Sequence, residues 1–282
     1  KVGFAVPRRD VCIELYYRFA DIFRDNDLTA VYGGNTKYLE GDLVLLTTHQ
    51  LFRYDHYFDL LIVDEIDAFP FKGSEILEVF FKRSIKKNYV LMTATPNKEI
   101  LDYFSKPGRA ILQLFSRFHG KPLPVPTVIK GNELYLNYKL VKEVSRILKS
   151  FKQIFIFVPT IDLSVKVYKF LRVFFPNGYY INSHSENRDE IIKRFRVKKY
   201  RYLVTTAVLE RGVTVKDLQV IVYHSDHPIY DSYSLIQIAG RVGRKKDAPE
   251  GEVIFLAREN NEEMQRAIAE INAANKKLPN LL

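Results

Sequence analysis

The chain has 282 residues, 47% of them hydrophobic and 27% charged. That is enough for two domains with ordinary cores and falls in the range of soluble globular proteins. No apolar run approaches the ~18–20 residues a membrane span needs, no secretory signal is present, and the single cysteine, Cys12, excludes an intramolecular disulfide and any multi-cysteine zinc site. These absences point to the cytosol. Net charge is +10 and uneven: residues 1–130 carry 18 Lys+Arg against 16 Asp+Glu (+2), residues 131–282 carry 25 against 17 (+8). A basic second half suits phosphate backbones or anionic membranes, and also plain solubility.

Along the chain, short apolar runs alternate with amphipathic stretches. The first half offers strands at 2–6, 29–32, 43–47, 60–63, 89–93 and 110–114, with helices at 10–24, 74–86 and 98–104. Continuous Val/Ile/Leu runs with helices between them predict a parallel sheet covered on both faces. Pro122, Pro124 and Pro126 then interrupt the pattern with a segment that fits neither a helix nor a central strand. The alternation resumes with strands at 154–158, 179–181, 202–206, 220–223 and 253–256. Helices are expected at 138–150, 160–174, 187–195, 232–242 and 261–274. The expected fold class is α/β: two domains, 1–130 and 131–282, each a mostly parallel sheet with helices on both faces. The chain begins at Lys1, inside the first strand, and is expected to be a trimmed piece of a longer protein.

Four strings carry chemistry. Asp64 and Glu65 follow the run Leu60–Val63, and a strand of a doubly wound sheet delivers such residues to the edge where ligands bind. Asp64 is the candidate Mg²⁺ ligand, through water. Glu65 is the candidate to orient or deprotonate an attacking water, and Asp67 to bridge to other motifs. By themselves these acids equally fit a surface turn. Thr93 and Thr95 flank Ala94 at the next strand end, where their hydroxyls would bond the carboxylate loop and couple hydrolysis to movement, or where Thr95 would simply cap a helix. Thr205 and Thr206 end a second-half strand and are candidates for a nucleic-acid phosphate, with Gly212 allowing close backbone approach. Gln237, Arg241 and Arg244 lie in Gln237-Ile238-Ala239-Gly240-Arg241-Val242-Gly243-Arg244. The planar, permanently charged fork of arginine suits a γ-phosphate, and Gln237 would bond the nucleotide or the acids opposite.

Together these strings resemble superfamily 2 helicases and translocases, and the order and spacing make the match specific. Residues 5–12 (AVPRRDVC), 47–51 (TTHQL), 63–70 (VDEIDAFP) and 117–126 (RFHGKPLPVP) are more narrowly similar to the ComFA family of competence ATPases. The resemblance implies two RecA-like domains with ATP and Mg²⁺ between them and a single DNA strand across the top. It implies DNA-stimulated ATP hydrolysis that drives import of transforming DNA, in the cytoplasm at the inner face of the membrane. The partners it implies are the uptake channel and other competence proteins. It casts Asp64 and Glu65 as the magnesium and water-activating acids and Arg241 and Arg244 as arginine fingers. It casts Pro7, Arg8, Gly33, Gly34, Thr47, Thr48, His49, Gln50, Pro159, Thr160, His184, Thr205 and Thr206 as strand contacts. Amides and hydroxyls of this kind hold phosphates without reading sequence.

Two departures follow. No G-x-x-x-x-G-K-[ST] phosphate loop occurs in the 282 residues, and the family's cysteine-rich zinc module is missing. In related proteins the loop lies just upstream of the segment matching 2–7. The chain as written is therefore expected to hydrolyse ATP poorly. Because the loop-bearing strand is normally central, the first sheet is expected to be left with unpaired edges. The alternatives are a non-catalytic helicase-like module that binds nucleic acid or a partner, or a general DNA-repair or RNA helicase. Cys12 reads as a buried small residue, the 193–201 basic run as a solvated helix face, and His224 and His227 as hydrogen-bonding rather than metal-binding.

Overall fold

The computed structural model describes residues 1–66, 74–94, 96, 98–106, 108–114, 117, 119–209 and 215–278. It divides into two compact units, Lys1–Ile111 and Leu112–Leu282.

In the first unit, five strands form one sheet: β1 (Val2–Val6), β2 (Leu28–Val31), β3 (Leu43–Thr47), β4 (Phe58–Val63) and β5 (Ile85–Leu91), in the order β2-β3-β1-β4-β5. Every pairing is parallel. The helices are α1 (Arg9–Ile22), α2 (Glu75–Ser84) and α3 (Lys98–Phe104). Alternate residues of the strands divide the core. Val6 and Leu45 pack with Cys12 of α1 on one face. Ala5, Val44, Leu46, Leu61 and Val63 pack with Phe81 of α2 on the other. β1 lies at the centre of this sheet, paired on both sides, and the unpaired edges are those of β2 and β5.

The second unit holds β6 (Thr127–Lys130), β7 (Gln153–Phe157), β8 (Gly178–Ile181), β9 (Tyr202–Thr205), β10 (Leu218–Tyr223) and β11 (Val253–Ala257), ordered β6-β11-β10-β7-β9-β8 and again all parallel. Its helices are α4 (Glu133–Lys149), α5 (Ile161–Phe174), α6 (Arg188–Arg196), α7 (Ser232–Ala239) and α8 (Glu262–Lys276). One face packs Phe155, Phe157 and Val222 against α6, α7 and α8; the other packs Ile154, Ile156 and Ile221 against α4 and α5. Asn132, Thr160, Asp231 and Asn261 cap α4, α5, α7 and α8 through their side chains, the preferred residue types at that position.

Three differences from the sequence reading have physical causes. Residues 110–114 form no strand, and Leu112 and Leu114 are each 92% exposed. β6 begins directly after Pro126 and pairs only with β11, so a proline-flanked segment is used at a sheet edge, where a missing donor costs least. The segment 112–130, assigned by the sequence pattern to the first domain, belongs to the second unit, and β6 is its strand.

Candidate functional site

Because all strands of a sheet run the same way, each unit has one edge where the carboxyl ends gather, and expected site residues of the first unit fall there. In the first unit Pro7 and Arg8 follow β1, Gly33 and Gly34 follow β2, Thr47 ends β3, Asp64 and Glu65 follow β4, and Thr93 follows β5. The β4 end is tied down on both sides. The Asp64 amide donates to the Ala5 carbonyl at 2.9 Å, the Met92 amide to Val63 at 2.8 Å, and the Ile66 amide to Met92 at 3.3 Å. Asp64 Oδ1 accepts the Glu65 amide at 2.9 Å. Glu65 stands at φ 54°, in the left-handed region. Such a conformation in a non-glycine residue costs free energy and is concentrated at functional sites. Both acids are half-buried. Two adjacent carboxylates offer oxygen donors only, the donor set that Mg²⁺ takes, and one or two carboxylates with the rest of the shell as water is its usual protein site. Asp67, Thr95 and Gly212 lie outside the described residues.

The expected strand-contact residues separate by exposure. Gly33 and Gly34 form an exposed turn closed by the Tyr32 and Asn35 backbones, with Gly34 at φ +88°. Arg8 is half-buried at the start of α1, which no side chain caps. His49 is exposed and Gln50 half-exposed on the 3₁₀ segment Thr48–Arg53, and Gln50 Oε1 accepts from Arg53 at 2.7 Å. Thr47 and Thr48 are buried. In the second unit Thr160 caps α5 by accepting the Leu163 amide at 3.2 Å, Pro159 before it is buried, and His184 is exposed. Thr205 is fully buried and donates its hydroxyl to the Thr206 carbonyl at 3.0 Å, whereas Thr206 is half-exposed.

Gln237 lies half-buried on α7, and Gly240 caps that helix. Beyond it the chain makes a tight loop in which Arg241 is only 2% exposed and Arg244 is half-buried. Arg244 Nε donates to the Gly240 carbonyl at 3.2 Å. Sequence reasoning gave no role to the residues that grip this loop. Arg117 donates to the carbonyls of Val242 and Gly240, and His119 Nε2 lies 2.9 Å from that of Gly243. Burial, then the neighbouring Arg244 charge, pulls the Arg117 guanidinium down to about 10. The one available signal was the string 117–126 itself, quoted above for its resemblance but without a function. His227 Nδ1 accepts the Ile229 amide at 3.2 Å, and His224 Nε2 lies 3.3 Å from Glu133 Oε1.

Residues 139–246 match the model of the helicase conserved C-terminal domain. The chain is 35% identical to competence protein ComFA of Streptococcus pneumoniae over 98% of its length and 66% of that protein. It is 32% identical to competence protein ComFA of Bacillus subtilis over 91% of its length and 58% of that protein. Among solved structures, it superposes on Saccharomyces cerevisiae Dbp5 bound to RNA and ADP BeF3 with a TM-score of 0.72 at 16% identity, covering 99% of this chain and 76% of that one. On RecG bound to a three-way DNA junction the TM-score is 0.62 at 19% identity, covering 96% and 38%. The two parallel α/β units and the matched domain define a superfamily 2 helicase-like protein. Within that class the chain belongs to the ComFA family, and it spans about two thirds or less of the length of these relatives. Among the described residues no helix is long and apolar enough to cross a membrane.

Proposed function

We propose that this chain is the motor core of an ATP-driven translocase on single-stranded DNA that serves uptake of transforming DNA. Asp64 would hold Mg²⁺ through water, Glu65 would activate the attacking water, and Arg241 and Arg244, with Gln237, would meet the nucleotide from the second unit. Asp67, Thr93, Thr95 and Gly212 would couple turnover to movement. Arg8, Gly33, Gly34, His49, Gln50, Thr160, His184 and Thr206 have the exposure for contact with a strand. Pro7, Thr47, Thr48, Pro159 and Thr205 would act through backbone groups or by supporting those neighbours. None of these groups reads base edges, so binding should be largely indifferent to sequence.

The observation that carries this reading is the pair Asp64–Glu65 on a strand end pinned to β1 and β5, with Glu65 held in a left-handed conformation, in a chain 35% identical to a competence protein. The 282 residues contain no phosphate loop. Such a loop brings a nest of amides and a lysine to the β- and γ-phosphates. The chain by itself should therefore bind nucleic acid with little turnover, and that is the second reading: a helicase-like module without catalysis. A role at the membrane beside an uptake channel, with other competence proteins, belongs to the same proposal. The deciding experiment compares ATP hydrolysis with and without single-stranded DNA, for this chain and for the parent protein that includes its upstream segment. DNA-stimulated turnover in the longer form supports the motor; none in either form supports the module. Stimulation by RNA instead of DNA would point to a general helicase.

A further inference from the structure

The loop bearing Arg241 and Arg244 is held by a part of the chain more than a hundred residues away. Arg117 donates from Nη1 to the Val242 carbonyl at 2.5 Å and from Nη2 to the Gly240 carbonyl at 3.1 Å. His119 Nε2 lies 2.9 Å from the Gly243 carbonyl, and the Lys121 amide lies 3.2 Å from His119 Nδ1. The tautomer with its proton on Nε2 satisfies both ring nitrogens. Carbonyls just past the carboxyl end of α7, where the helix leaves acceptors unmatched and the dipole is negative, therefore receive a guanidinium fork and an imidazole. Gly243 sits at φ +70°, and a Cβ there would collide with the Pro249 carbonyl and with Arg117 Nη1. Glycine is thus the residue that fits between Pro249 and Arg117 at this point of the loop.

This arrangement is not what packing alone selects. Arg117 is part-buried beside a second guanidinium, Arg244, which bonds the same Gly240 carbonyl. Two like charges converging on one acceptor cost free energy, and an apolar side chain of similar volume would fill the space without that cost. What an apolar side chain lacks is the two-pronged, directional hold on the Gly240 and Val242 carbonyls, which flank Arg241.

We propose that Arg117, with His119 beside it, is a positioning residue for the arginine loop: it fixes the 240–244 backbone so that Arg244 presents its guanidinium to the γ-phosphate of ATP. The inference rests on the motor reading above, and its test separates the two.

The test uses the full-length parent protein with single-stranded DNA, and the variants Arg117→Met, Arg117→Lys, Arg244→Ala and the double variant Arg117→Met with Arg244→Ala. Arg117→Met should lower kcat for ATP at least about tenfold, since small misplacements of reacting groups carry large rate penalties. KM for ATP, DNA affinity and melting temperature should stay close to those of the parent. Arg117→Lys, which can reach one carbonyl but not both, should recover part of the rate. The double variant should be no slower than Arg244→Ala alone, because Arg117 acts through that residue. Should Arg117→Met fail to fold, His119→Gln and His119→Phe supply the same comparison: glutamine keeps a donor and the rate, phenylalanine keeps the volume and loses it. Full turnover in Arg117→Met beside an inactive Arg244→Ala overturns the positioning role and leaves the motor standing, as does a double variant whose loss is the product of the single losses. Full turnover in Arg244→Ala overturns both.

Discussion

The backbone amide of Asp64 donates to the carbonyl of Ala5 at 2.9 Å. That bond continues the β1–β4 ladder one step beyond the last paired residues, Ala5 and Val63. It sets the acids beside the strand that leads into Pro7 and Arg8. A candidate hydrolytic group and candidate strand-binding groups are therefore spaced by sheet hydrogen bonds rather than by loop chance.

Glu65 should separate chemistry from stability. In the full-length protein Glu65→Gln should lose about 10²–10⁴-fold in ATP turnover, the usual contribution of a positioned base, with little change in melting. Glu65→Gly should lose turnover equally but gain about 1 kcal/mol, because glycine adopts φ 54° without the penalty of a Cβ. Steady-state ATPase rates and urea denaturation of both variants check this. A glycine variant no more stable than the glutamine one would show that the left-handed turn carries no strain.

Strand binding should weaken with salt. If Arg8 neutralises a phosphate, Arg8→Ala should reduce the slope of log K against log[salt] by about 0.7 on single-stranded DNA of any sequence. Fluorescence anisotropy at several salt concentrations measures it. An unchanged slope would remove Arg8 from the strand path.

Cys12 should be silent in the native protein. It is fully buried on the inner face of α1, and that burial pushes its thiol up to about 12, leaving almost no thiolate at neutral pH. A thiol reagent at pH 8 should label it only after denaturant is added. Rapid labelling of the folded chain would mean that α1 opens.

The second unit should lose part of its stability in acid. Arg146 forks onto Glu252, Nη1 to Oε1 at 3.0 Å and Nη2 to Oε2 at 2.5 Å, joining α4 to the turn before β11. The Arg146 hydrogen bonds hold the Glu252 carboxyl below its ordinary value of 4.5, against an opposing push from burial. A carboxyl lowered on folding contributes stability that is fully present above its unfolded value and fades as pH falls through the folded one. With both side chains about half exposed, the pair is worth no more than about 1 kcal/mol. Glu252→Gln should be less stable than the parent at pH 7 and equal to it at pH 3. A difference that persists at pH 3 would assign the effect to packing.

Much of the fold was legible because buried parallel strands announce themselves. Leu43–Thr47 and Gln153–Phe157 are near-continuous apolar runs, and all six residues of Leu218–Tyr223 are buried, the glutamine included. Edges obey a weaker rule. β5 begins at Ile85 with Lys86, Lys87 and Asn88, polar residues that suit an outer strand, so only its apolar end was read as strand. Residues 110–114 misled in the opposite direction, since an apolar run says nothing of whether a partner exists to cover it. The acids and arginines were legible as strings in fixed order. The grip of Arg117 and His119 was not, because it joins two strings separated by more than a hundred residues and ends on carbonyl oxygens, which every residue type supplies alike.

The uniform strand direction has a practical corollary. Each sheet has a rim of carboxyl ends and a rim of amino ends, and the turns before β7, β8 and β9, near residues 151, 177 and 198, occupy the amino-end rim of the second unit. Dyes, purification handles or surface tethers fixed there would leave the opposite rim unencumbered. That makes the turn at Phe151, already 77% exposed, a natural attachment point for watching a single molecule at work.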